Sequence, residues 1–216
     1  MPETEMHQDL EVIAFATMAD WVAWLRAEHT RDAGLWVKLG KKGRDVRTIT
    51  YEQTREGALM YGWIDGQRKT WDDDYFIIRV TPRRKRSKWS KINRGIAEEL
   101  IAKKKMRKAG LAQVEAAKAD GRWERAYDSH STIQVPDDFA AALDANAKAK
   151  AAFEAIDRNN RYAFLYRIHD AIKPEAREKK IAKFVQMLAR GESFHPPTKK
   201  RTAKKKTAKK KATKRK

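Results

Sequence analysis

The 216-residue sequence contains no cysteine. Disulfides, thiolate-ligated zinc, iron–sulfur clusters and thiol nucleophiles are therefore excluded, and redox chemistry would need a bound cofactor. Apolar runs of membrane-spanning length are also missing. The opening MPETEMHQDLEVIAF is acidic, where a secretory signal has a basic start and then a long apolar stretch. From these two absences we expect cytoplasmic residence. Histidine is scarce: His7, His29, His130, His169 and His195 include no pair at the helical spacing of metal ligands. No histidine lies between His29 and His130, so a serine in that interval has no imidazole base nearby in sequence. Acidic residues are in deficit, with 29 Asp and Glu against 49 Lys and Arg.

That deficit gives a net charge of +20, of which residues 199–216 carry 12 with no acid among them, leaving +8 on the rest. Charge of this size and sign favours polyanions, nucleic acid first. The pentad Thr-Ala-Lys-Lys-Lys occurs at 202–206 and again at 207–211, in a segment with no large apolar residue. Such a segment cannot build a core and is expected to be disordered. Lys204, Lys205, Lys206, Lys209, Lys210 and Lys211 are expected to neutralise phosphates with release of counterions and little sequence preference.

Apolar spacing divides the remainder. Thr17 with Asp20, and Thr50 with Gln53, read as capping boxes that open two helices. Between them residues 34–40 alternate, with Leu35, Val37 and Leu39 on one face of a strand and Trp36 and Lys38 on the other. Gly62 sits where a left-handed residue ends the second helix. Two β-rich runs flank Asp72-Asp73-Asp74, which reads as the turn of an antiparallel hairpin. Ser90 caps a helix carrying Ile92, Ile96, Leu100 and Ile101, and Gly110 interrupts before a shorter helix. Further helices open at Pro136, Asn146, Asn160 and Pro174, and Gly191 closes the last. The fold class is α+β: residues 1–125 form a small antiparallel sheet with packed helices, 126–192 a small all-helical domain, and 193–216 a disordered Lys-rich tail.

Five motifs occur in order: Gly62-Trp63-Ile64-Asp65-Gly66, Thr81-Pro82-Arg83-Arg84, Ser87-x-Trp89-Ser90-x-x-Asn93, Met106-x-x-Ala109-Gly110 and Asp120-Gly121-Arg122-Trp123. Together they resemble the YdeI/OmpD-associated proteins, also called bacteriocin-protection proteins, from about Phe15 to Gly191. Val135-Pro136-Asp137-Asp138-Phe139 and residues 173–188 are similar to that family's small helical domain. Glu175-Ala176-Arg177 departs from the expected Glu-Thr-Arg, and the lysine tail lies outside the shared region. The resemblance implies the two-domain α+β architecture, a bacterial cytoplasmic setting and a shared cluster of Trp63, Asp65, Arg83, Trp89, Ser90 and Asn93. It implies a role in stress or bacteriocin tolerance but brings no settled reaction, cofactor or catalytic residue.

Two readings of the motif region compete. In the first, Arg83, Arg84, Lys85, Arg86, Lys88, Lys91 and Arg94 form a surface for nucleic acid or another polyanion, because arginine grips phosphate bidentately. In the second, Trp63, Asp65, Arg68, Arg83, Trp89, Ser90 and Asn93 line a ligand-binding or enzymatic cleft. There Asp65 is a base or orients Arg68 or Arg83, and Ser90 and Asn93 present a hydroxyl and an amide at a helix N-terminus. No nucleophile elbow or phosphate-loop glycine pattern accompanies them, so no catalytic residue, cofactor or metal is assigned. Ordinary architecture accounts for much of the same set: Trp89 as a core anchor, Ser90 as a cap, Asp72-Asp73-Asp74 as a solvated turn. The leading expectation is a non-catalytic polyanion-binding protein. A third class, contact with a protein partner, would show as an exposed apolar patch.

Overall fold

The computed structural model describes residues 5–196, and the tail lysines singled out above lie outside that range. The chain forms two compact units that divide between Thr132 and Ile133. The first holds strands β1 (Met6–His7), β2 (Leu10–Ile13), β3 (Leu35–Gly40), β4 (Trp63–Thr70) and β5 (Tyr75–Pro82). Its helices are α1 (Met18–Glu28), α2 (Tyr51–Met60), α3 (Lys91–Ala102) and α4 (Lys108–Ala119).

The strands make one five-stranded sheet in the order β1-β2-β3-β5-β4. All pairs are antiparallel except β2 and β3, which run parallel with Val12 opposite Trp36. This pair departs from the wholly antiparallel expectation. The alternation of β3 sends Leu35, Val37 and Leu39 into the main core with the helices, while Trp36 joins Val12 and Ile77 on the other face. Asp72 shapes the β4–β5 turn: its Oδ1 accepts the backbone N–H groups of Asp74 at 2.9 Å and Tyr75 at 2.8 Å.

Local signals start the helices. Thr17 and Thr50 both form complete capping boxes, and Ser90 Oγ accepts the N–H of Asn93 at 3.1 Å. That cap also sets the phase of α3, whose buried stripe is Asn93, Ala97 and Leu100. Ile92 and Ile101, which belong to the apolar pattern of this helix, are 45% and 36% exposed. The break before α4 falls at residues 103–107, where Lys104 has φ +55°, and not at Gly110, which lies inside the first turn of α4. Trp21, Trp36, Trp63 and Trp89 are each no more than 1% exposed. At ~150–250 Å² of surface apiece, they dominate the burial of this unit.

The second unit contains α5 (Asp137–Asp144), α6 (Ala147–Ala155), α7 (Arg158–His169) and α8 (Pro174–Ala189). Its core is phenylalanine-rich, with the Phe164 ring meeting Phe184 edge-on at 5.2 Å. Asn146 caps α6 as expected, but α7 is capped by Asp157, whose Oδ1 accepts the N–H of Asn160 at 2.9 Å. Asn160 is thus the third residue of the helix and not its cap.

Candidate anion-binding surface

The chain leaves β5 at Pro82 and turns sharply. Arg83 N–H donates to the Gly62 carbonyl at 3.1 Å, and residues 84–87 form a turn in which Ser87 Oγ accepts the Arg84 N–H at 3.0 Å. Arg122 holds this turn from outside, donating from Nη1 to the Ser87 carbonyl at 2.8 Å. Tyr127 holds its far end, with its N–H on the Trp89 carbonyl and its own carbonyl taking the Lys91 N–H, both at 2.9 Å. The backbone of residues 83–91 is therefore fixed at several points while the side chains of Arg84, Lys85, Arg86 and Lys88 stay exposed.

A second basic segment, residues 103–108, reaches the same place. The Arg107 N–H donates to the Met60 carbonyl at 3.1 Å. Gly62 has φ +77°, and a Cβ there would come within 2.8 Å of the Ala109 carbonyl oxygen. The turn at residues 60–62 is thus clasped by one basic loop on each side. Only a glycine tolerates both that backbone conformation and that approach. Arg84, Lys85, Arg86, Lys104, Lys105, Arg107 and Lys108 are all exposed, and none has a carboxylate partner among the described residues.

The other residues singled out in the sequence are dispersed. Lys91 pairs with Asp128 at 2.8 Å, and half-buried Arg94 reaches Glu98 at 3.6 Å. Trp63 is in the core and its indole donates to the His29 carbonyl at 2.9 Å. Arg68 lies over the Phe76 ring at 3.9 Å. Ser90 Oγ is occupied as a cap. Asp65 accepts the Tyr51 hydroxyl at 2.5 Å. Burial, reinforced by that carboxylate, pushes the Tyr51 phenol up to about 12.

Arg83 differs from its neighbours in the basic run, because it is only 6% exposed. Its guanidinium stacks on Trp89 at 3.7 Å and donates from Nη1 to the Lys88 carbonyl at 3.2 Å. Burial lowers its pKa to about 10, against the raising influence of Tyr127 and Asp65. Arg83 therefore belongs beneath the basic surface and not to it.

Sequence reasoning did not assign residues 103–108 to the site, since a lysine run reads equally well as a solvated helix face. The glycine pair Gly62 and Gly110 was the available signal that two backbones cross there. Among the described residues no three His, Asp or Glu side chains gather where a metal could be held. In the second unit a cavity of about 390 Å³ opens between α5 and α8, with Ala142, Pro174 and Ile181 in its lining and the Asp138–Arg177 ion pair at 2.6 Å beside them. No helix among the described residues is long and apolar enough to cross a membrane.

These features define an α+β unit with a paired basic loop, followed in sequence by a four-helix unit. Residues 132–191 match the family described as Bacteriocin-protection, YdeI or OmpD-Associated. The family resemblance read from the sequence is therefore shown for the helical unit. Residues 13–113, which carry four of the five motifs, match a different description, Domain of unknown function (DUF8412). No curated protein and no solved structure matches the chain.

Proposed function

We propose that this is a non-catalytic cytoplasmic protein that binds nucleic acid or another polyanion with little sequence preference. The supporting observation is the meeting of two exposed basic loops, residues 84–88 and 103–108, at the turn formed by residues 60–62. Within these loops Arg84, Lys85, Arg86, Lys104, Lys105, Arg107 and Lys108 have no carboxylate partner among the described residues, and such cations on fixed backbone suit phosphate contacts, which set position and affinity and carry no base information. Lys91 and Arg94 take a smaller part, being engaged by Asp128 and Glu98. Lys204, Lys205, Lys206, Lys209, Lys210 and Lys211 add a second set of phosphate contacts by virtue of their charge. The test is the affinity of the full chain and of a 1–197 truncation for duplexes of unrelated sequence at several salt concentrations. Binding that falls steeply with salt, ignores sequence and weakens on truncation is expected; absent or salt-insensitive binding overturns the reading.

A second reading, bacteriocin or stress tolerance through a bound ligand, is supported by the family match over residues 132–191. It predicts altered bacteriocin sensitivity in cells that overproduce the protein, and an unchanged killing curve would remove it.

A further inference from the structure

Of the groups that the polyanion surface leaves unused, the most demanding is the guanidinium of Arg83. Its Nε and Nη2 are shielded from solvent and find no acceptor among the described residues. The indole Nε1 of Trp89, whose ring lies under that guanidinium, is likewise buried and unpartnered. Buried donors left without acceptors are costly, and those of a charged group most of all.

The free nitrogens are the informative part. Nε and Nη2 form the side edge of a guanidinium, two parallel N–H bonds whose spacing matches the two oxygens of a carboxylate or phosphate. Elsewhere this chain uses the same edge for that purpose. Arg177 grips Asp138 through Nε at 2.6 Å and Nη2 at 2.9 Å, and Arg190 grips Glu192 through Nε at 2.6 Å and Nη2 at 3.2 Å. At Arg83 the Asp65 carboxylate exerts a charge influence but accepts the Tyr51 hydroxyl, and of the guanidinium only Nη1 is spent, on the Lys88 carbonyl. Arg122 adds positive charge nearby. Stacking on Trp89 fixes the plane of the guanidinium, so the unpartnered edge has a defined direction.

We propose that the Nε–Nη2 edge of Arg83 is a discrete binding site for a small oxyanion, a carboxylate or a phosphate that presents two oxygens to it. The site is independent of the polyanion surface. An occupant of a solvent-shielded edge is held by directed hydrogen bonds in a low-dielectric setting and is screened by salt much less than an exposed phosphate contact.

The experiment is thermal unfolding of the full chain titrated with sodium acetate or inorganic phosphate, with ionic strength held constant by sodium chloride. A saturable rise in unfolding temperature is expected for at least one of the two probes, which also identifies the preferred oxyanion. Arg190→Met, which removes an exposed arginine already neutralised by Glu192, should respond as the parent does. Arg83→Lys, which keeps the charge and loses the fork, should lose the saturable component. No response in the parent, or an undiminished response in Arg83→Lys, overturns the site. Should Arg83→Lys fail to fold, arginine Nε–H resonances of the parent provide the second readout. One is expected to shift saturably with the probe, and an unmoved set overturns the proposal. Failure of duplex binding leaves this outcome unaffected, so the two proposals can fail separately.

Discussion

At Gly110 one added methyl group would stand 2.6 Å from the Leu59 carbonyl oxygen, and the backbone of α2 cannot retreat from it without opening the core. Gly110→Ala is therefore expected to lose roughly 1–3 kcal/mol of stability. Gly95 offers the opposite case, a helical glycine in α3 with nothing within 4 Å of an added Cβ. Gly95→Ala should gain roughly 0.5–1 kcal/mol by restricting the unfolded chain. Urea unfolding midpoints of the two variants check both signs. Ser90→Ala removes the α3 cap and should cost about 1 kcal/mol while leaving duplex affinity unaltered, because its hydroxyl is already spent on Asn93. Arg83 follows a different logic. Burial depresses its folded pKa to about 10, so the charge opposes folding throughout neutral pH and the opposition is relieved only as pH rises through that value. Arg83→Met should accordingly fall within about 1 kcal/mol of the parent, or exceed it. A much larger loss would mean that the contacts to Trp89 and Lys88 outweigh the desolvation.

The α5–α8 pair shows how an element depends on one bridge. Arg177 spans from α8 to Asp138 in the first turn of α5, and its hydrogen bonds hold the Asp138 carboxyl below the ordinary 3.8. A depressed carboxyl stabilises the folded state above its unfolded pKa, and that contribution disappears as pH falls through the lower folded value. Asp138→Asn should thus weaken the helical unit at pH 7 and be much less sensitive to pH below about 4 than the parent, as helical circular dichroism on acid titration would show. The effect is modest, because the Asp138 side chain is 46% exposed. Elements of this kind were legible in the sequence where a short-range signal specifies them: Thr17, Thr50 and Ser90 each declare a helix start through a residue three positions on. The short strands β1 and β2 were not legible, since two and four residues carry no periodicity and their pairing is with partners distant in sequence. The phase of α3 was not legible for a related reason. Isoleucine at 92 and 101 satisfies an apolar pattern, yet packing against α2 and the main core selects Ala97 and Leu100. The candidate site was legible as residue types, but which arginine turned inward was not, because burial of Arg83 depends on the Trp89 ring arriving beneath it.

Across the whole molecule, cations matched by acids must be separated from cations that are not. Arg190 and Glu192 neutralise each other at 2.6 Å, as do Lys150 and Asp144 at 2.8 Å, so neither pair has charge to offer a phosphate. Arg84, Lys85 and Arg86 do. Each phosphate neutralised on a duplex contributes about 0.9 to the slope of log affinity against log salt. Replacing Arg84, Lys85 and Arg86 with alanine should therefore reduce that slope by about 2–3, equally for duplexes of unrelated sequence. Arg190→Ala should leave the slope unchanged despite removing the same kind of side chain. On the proposed reading, in which the tail lysines and the loop cations contact different phosphates, the 1–197 truncation should reduce the slope independently. A loss from Arg190→Ala about one third of that from the triple variant, in proportion to the charge removed, would show that affinity follows net charge alone, and that the junction at residues 60–62 has no part in binding.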